Sequence, residues 1–143
     1  MTRPRLKEAR ILTDEELMAV AEKKVDVAYA PYSGLRVAAA LETAEGDVFT
    51  GVNVENGSYG LSCCAERSAM FSAVGAGRKR FNRIAIASSA NAPLRPCGAC
   101  LQVMWEFSPD MVVLMGGPEG ALERRGVRDL LPEGFVFDRG GEE

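Results

Sequence analysis

The apolar positions of the chain change period several times, and each change marks an element. Leu17, Val20, Ala21, Val25 and Ala28 recur at helical spacing behind a capping box formed by Thr13 to Glu16, which predicts a first helix over about Asp14 to Ala28. Ala30 to Gly34 is turn chemistry. Arg36 to Glu42 and Val48 to Val54 read as two strands joined through Thr43 to Asp47. Glu55 to Gly60 reads as a loop, and Ser62 to Ala76 has the Ala, Met, Phe and Val content of a buried helix. Arg83 to Ser89 is predicted as a strand, Cys97 to Phe107 as a helix stopped by Ser108 and Pro109, and Met111 to Met115 as a buried strand. Gly116 to Gly120 turns the chain into a last strand near Ala121 to Arg125 and a short helix at Val127 to Leu131. This alternation implies an α/β fold, a sheet covered by helices with right-handed crossovers between parallel strands.

A chain of 143 residues suits one domain, 1–143, with polar tails at about 1–12 and 138–143. Seventeen Lys and Arg against 20 Asp and Glu leave a net charge of -3. That balance argues against a nucleic-acid or membrane-surface binder, because the electrostatic term such partners demand is missing. No stretch approaches the ~18 apolar residues of a membrane span, and the basic N-terminus is followed by no apolar run. A cytoplasmic protein is expected. Arg78, Lys79, Arg80 and Arg83 around Phe81 read as a solvated loop between helix and strand.

The count that changes the picture is four cysteines and no histidine. Any mechanism with a histidine base, triad or ligand is excluded. Cys97-Gly98-Ala99-Cys100 places two thiols on one face at a helix start, as either a redox pair or half a metal site. Cys64-Ala65-Glu66 offers another thiol at a second helix start, followed by a carboxylate pointing elsewhere around the axis. Two converging helix N-termini would lower thiol pKa values. Three thiolates with an unfilled fourth position are what catalytic zinc needs. Cys63 could in principle close a four-cysteine structural site, but vicinal side chains diverge, and a small packed thiol is its simpler reading.

Cys64-Ala65-Glu66-Arg67 followed by Pro96-Cys97-Gly98-Ala99-Cys100 resembles the zinc-dependent cytidine/deoxycytidylate deaminase superfamily, and within it the small homotetrameric cytidine deaminases. The resemblance runs from about Pro31 to Phe135 and includes Ala30-Pro31-Tyr32-Ser33, Gly51-Val52-Asn53-Val54-Glu55-Asn56 and Leu130-Leu131-Pro132. It implies a three-layer α/β/α fold with a mixed five-stranded sheet and helices on both faces. It also implies one Zn²⁺ per chain on Cys64, Cys97 and Cys100. The implied reaction is hydrolysis of cytidine and 2'-deoxycytidine to uridine and 2'-deoxyuridine with release of ammonia.

The remaining roles follow from the resemblance and can be weighed physically. Zinc with three thiolates has formal charge -1 and acidifies water less than a three-histidine site, so positive charge must compensate. Arg67 matches an arginine that hydrogen-bonds the thiolates, with a surface salt bridge as its alternative. Glu66 matches the proton shuttle that takes a proton from water, protonates N3 of the pyrimidine and supplies the departing amine. Asn53 and Glu55 alternate, so both point one way and match residues that hold the ribose; alternatively, Glu55 and Asn56 shape the turn before Gly57. A carboxylate there suits a free nucleoside and would repel a phosphate. The Ala65 N–H matches a donor to the base carbonyl.

Leu35 stands where relatives have a phenylalanine against the base, and Leu101 where an arginine is frequent. Tyr59 and Phe135 match aromatics that complete a neighbour's pocket in a homotetramer, although Phe135 could equally fill the core. Two other readings stay open. The Gly134-Phe135-Val136-Phe137 tail is similar to deaminases of the antibiotic blasticidin S, against which Glu55 argues. A structural zinc module would need a filled shell and no Glu66. Polynucleotide editing fits poorly, since a basic groove with interleaved aromatics is lacking.

Overall fold

A computed structural model describes residues 11–90 and 92–138. The expected tails therefore lie outside the described residues, apart from Ile11, Leu12 and Asp138.

The capping box forms as expected. Thr13 Oγ1 accepts the Glu16 N–H at 3.1 Å, and the Glu16 carboxylate accepts the Thr13 N–H at 3.3 Å, opening α1 (Asp14–Glu22). The helix is shorter than its periodicity predicts. The chain tightens into a 3-10 turn at Val25–Val27, and Ala28 is extended. Strand-like pairing of Tyr29 is the reason: its N–H donates to Asn53 O at 3.0 Å, and the Glu55 N–H donates to Tyr29 O at 2.9 Å. An α-helix cannot offer those groups outward.

The sheet contains β1 (Val37–Thr43), β2 (Val48–Val52), β3 (Phe81–Ser88), β4 (Val112–Gly116) and β5 (Leu122–Gly126). Their order is β2-β1-β3-β4-β5, with β3 and β4 parallel and the other neighbours antiparallel. The parallel pair is joined through α3 (Gly98–Phe107); α2 (Ala65–Gly75) and α4 (Val127–Leu130) complete the helices. This is the mixed five-stranded sheet that the resemblance implies. Strand alternation divides the core in two. Val37, Ala39 and Leu41 of β1, Ile84 and Ile86 of β3, and Val113 and Met115 of β4 join the cluster of α2 and α3. Ala40, Ala85, Ala87 and Leu114 face Leu17, Met18 and Ala21 of α1. With both faces covered, every residue of β1 is buried, so its run Val37 to Leu41 shows no polar alternation.

Arg83 corrects the expected solvated loop. It lies within β3, and its side chain is 11% exposed. The guanidinium donates to Glu42 Oε1 at 2.9 Å, Asp14 Oδ1 at 2.8 Å and Leu12 O at 2.7 Å. Arg124 also pairs with Asp14. Burial by itself would push the Asp14 carboxyl up, but the hydrogen bonds from Arg83 and Arg124 outweigh it and hold the carboxyl below its usual range. Arg78 likewise has a partner, Asp47, at 2.6 Å. Charge thus ties the start of α1 to β1 and β3. Among the described residues no helix is long and apolar enough to cross a membrane.

Helix α2 lies on β2 at backbone contact. A Cβ on Gly51 would sit 2.4 Å from Ala69 N and 2.5 Å from Ala65 O. Both obstacles are main chain, so relief requires moving the helix. Gly51→Ala is expected to destabilise the chain by about 1–3 kcal/mol in urea unfolding and to lower its bound zinc, since α2 begins beside Cys64. Wild-type stability and zinc content in that variant would show that α2 can shift freely.

Candidate metal centre and substrate cleft

The two helix starts meet as expected. Cys64 is the N-cap of α2 and Cys97 the N-cap of α3, while Cys100 is buried in the first turn of α3. Pairing sets the approach to α2: Val54 and Cys63 exchange both backbone hydrogen bonds at 3.0 and 2.9 Å. For that reason the predicted first residues of this helix, Ser62 to Cys64, are extended instead.

The sulfurs of Cys64, Cys97 and Cys100 all lie within 4.8 Å of one another. Tetrahedral zinc with bonds of ~2.3 Å places its sulfur ligands about 3.8 Å apart. The Cys64 and Cys97 sulfurs are 3.8 Å apart. A soft three-thiol donor set of this size fits zinc. Cys63 stands outside the cluster, its sulfur 3.7 Å from Cys64 O and 3.8 Å from Ser68 Oγ.

Cys64 and Cys100 share a hydrogen bond that shifts their two thiols in opposite directions. A hydrogen bond from Cys100 lowers the Cys64 pKa against the cost of burial, and Arg67 adds to it, bringing Cys64 down to about 5. Cys100 is pushed up, because it donates that hydrogen bond, is itself buried and faces the charge of Glu66. A divalent ion bound to all three would deprotonate them outright. Arg67 sits one turn beyond Cys64 and donates from its terminal nitrogen to the Cys64 sulfur at 3.3 Å. Glu66 is 5% exposed, and burial pushes its carboxyl up.

Beside the thiols is a cleft of about 250 Å³ that brings together Leu35, Asn53, Glu55, Cys64, Ala65, Glu66 and Cys97. Residues far apart in the chain are thus assembled around one space. Tyr59 lies off to the side, in an adjoining cleft with Tyr32, Ser33, Glu55 and Ser62, its ring 5.9 Å from that of Tyr32. Phe135 is on α3's side of the molecule. Its backbone exchanges hydrogen bonds with the Gln102 side chain at 2.9 and 2.8 Å, while its ring is exposed.

Asn53 and Glu55 are already engaged. Asn53 Oδ1 accepts the Val37 N–H and its Nδ2 donates to Leu35 O, both at 2.8 Å. Glu55 Oε1 accepts the N–H groups of Tyr32 at 3.0 Å and Ser33 at 3.1 Å. Of the two residues expected to shape the turn at Gly57, Asn56 does so, its side chain accepting the Ser58 N–H at 2.9 Å. Four residues of the cleft were not assigned to the site by sequence reasoning, the apolar Val37 and Leu94 and the polar Ser33 and Arg95. Arg95 precedes the cysteine motif, and its partner Glu123, at 2.9 Å, is distant in sequence, so no local signal could have marked it.

A mixed sheet that presents Cys-x-Glu at one helix start and Pro-Cys-x-x-Cys at the next carries the signature of a zinc-dependent deaminase. The chain belongs to the cytidine and deoxycytidylate deaminase family, whose zinc-binding-region model matches residues 12–116. It is 46% identical over 112 residues to the cytidine deaminase of Halalkalibacterium halodurans, covering 78% of this chain and 85% of the relative. With the cytidine deaminase of Sporosarcina psychrophila it shares 40% identity over 122 residues, covering 85% of this chain and 90% of the relative. The 1.6 Å crystal structure of cytidine deaminase from Burkholderia pseudomallei matches with a TM-score of 0.83 at 45% identity, covering 87% of this chain and all of that one. Zinc is accordingly the ion that this thiol cluster serves.

Purified chain is expected to carry one zinc per protomer by elemental analysis, and Cys100→Ser to lose most of it while Cys63→Ser keeps it. Full retention by Cys100→Ser would remove Cys100 from the metal shell.

Proposed function

We infer that the chain hydrolyses cytidine and 2'-deoxycytidine to uridine and 2'-deoxyuridine, one water entering and one ammonia leaving. The observation that carries this reading is Glu66. It is a nearly buried carboxyl, two residues beyond one metal-site thiol, lining the same cleft as Cys64 and Cys97. Cys64, Cys97 and Cys100 would hold the zinc, which when bound would supply an acidified water as the nucleophile for C4 of the pyrimidine. Glu66 takes one proton from the water and delivers it to N3, then takes the remaining proton from the new C4 hydroxyl and passes it to the N4 amine, which leaves as ammonia when the C4–N4 bond breaks. One carboxylate suffices because its low exposure keeps bulk water from competing for the proton.

The other residues orient the base and sugar. Ala65 opens α2, where a helix N–H has no acceptor of its own, so it is free to hold the base carbonyl. Leu35 supplies an aliphatic wall in place of an aromatic one. Asn53 and Glu55 mark the sugar end, and the Glu55 carboxylate disfavours a phosphate nearby. Arg67 offsets the negative charge of three thiolates. A structural zinc module remains the weaker reading, since it gives no task to a buried Glu66.

The proposal extends to assembly and place. The chain acts as one domain and as a homotetramer in which Tyr59 and Phe135 reach a neighbour's cleft. Tyr59, Phe135, Val136 and Phe137 are each at least 70% exposed, a large apolar area for an isolated chain. Metal thiols also persist best in a reducing compartment, which favours the cytoplasm.

Glu66→Gln is expected to keep zinc and fold while lowering turnover of cytidine by orders of magnitude in an ultraviolet assay, because shape survives and proton transfer does not. Near-normal turnover would reassign the acid. Sedimentation is expected to report about four times the 15.4 kDa chain mass, and Phe135→Ala to cut activity with zinc retained. A fully active monomer would refute the shared site.

A further inference from the structure

The Ala30 to Ser33 block belongs to no metal or acid role, yet Ser33 lines both clefts. Its hydroxyl has a fully determined direction. Ser33 Oγ accepts the Leu35 N–H at 3.0 Å, so its single proton is left to donate, and Glu55 Oε2 lies 2.5 Å away. A serine that merely closed its own turn would use the first contact and leave the proton to water. Here the proton is committed to a carboxylate 22 residues along the chain.

We propose that Ser33 is a positioning residue for nucleoside recognition, its hydroxyl setting the Glu55 carboxylate that meets the sugar. The proposal rests on the reading of Glu55 as a sugar contact. A carboxylate accepts about four hydrogen bonds. Two on Oε1 are taken by the N–H groups of Tyr32 and Ser33, and one on Oε2 by the Ser33 hydroxyl. One acceptor position remains, on the oxygen that Ser33 orients. The same hydrogen bonds, led by that from the Ser33 hydroxyl, hold the Glu55 carboxyl below its usual range and keep it charged. Through Leu35 N, Ser33 also couples this carboxylate to the aliphatic wall of the cleft.

The test uses zinc-loaded full-length Ser33→Ala, Ser33→Thr, Glu55→Gln and the Ser33→Ala/Glu55→Gln double variant, assayed with cytidine. Ser33→Ala is expected to raise KM on the order of 10-fold with kcat, zinc content and Tm nearly unchanged. Ser33→Thr, which keeps the hydroxyl, restores KM to within about 3-fold of wild type. Ser33→Ala adds little on top of Glu55→Gln, because its effect passes through that carboxylate. A raised KM in Glu55→Gln beside a normal KM in Ser33→Ala overturns the proposal and leaves the sugar contact standing. An unchanged KM in Glu55→Gln removes the sugar contact and the proposal with it. Joint loss of Tm and kcat in Ser33→Ala, without rescue by threonine, assigns Ser33 to loop structure alone.

Discussion

The metal centre depends on how closely α2 can lie against the sheet. Gly51 presents bare backbone to the backbone of Ala65 and Ala69, and this contact sets the depth of the helix. The paired segment of Val54 and Cys63 then sets where the helix starts. Depth and start together place Cys64 beside the first turn of α3. Three sulfurs from two helices converge at zinc-ligand spacing because main-chain contacts, which have little freedom to adjust, decide both coordinates.

Convergence concentrates negative charge, and the surroundings answer it unevenly. Arg67 is donated from within the same helix, one turn beyond Cys64, so positive charge arrives with the thiol it compensates. Cys100 sits deeper, where its hydrogen bond to Cys64, its burial and the charge of Glu66 push its thiol up against the opposing hydrogen bond from Arg67. Glu66 belongs to this same low-dielectric pocket, where burial makes its charged form costly.

The opposite end of the cleft is organised by hydrogen bonds to backbone. Asn53 grips Leu35 and Val37, and Glu55 grips Tyr32 and Ser33, so one short segment of chain is held at four residues by two side chains. Supporting the loop leaves these side chains able to serve the proposed sugar contact as well. An amide or carboxylate with several acceptor and donor positions can spend most of them on the wall and keep one for a ligand.

Much of this was legible in the sequence. Local signals marked the Thr13 capping box, the hydrophobic runs and the two cysteine motifs, and the absence of histidine left thiols as the metal donors. Near-neighbour chemistry governs all of these, so adjacent residues disclose them. What tertiary structure alone decided involves partners far apart in sequence. Pairing of Tyr29 with Val54 ended the first helix early, against its periodicity. Arg83, which reads as part of a solvated basic run, became a buried hub because Glu42 and Asp14 come from other strands and helices. Ser33 and Arg95 entered the cleft through contacts to Glu55 and Glu123. Periodicity records which face of an element is apolar, but a hydrogen bond across the fold exists only once two distant segments have been brought together.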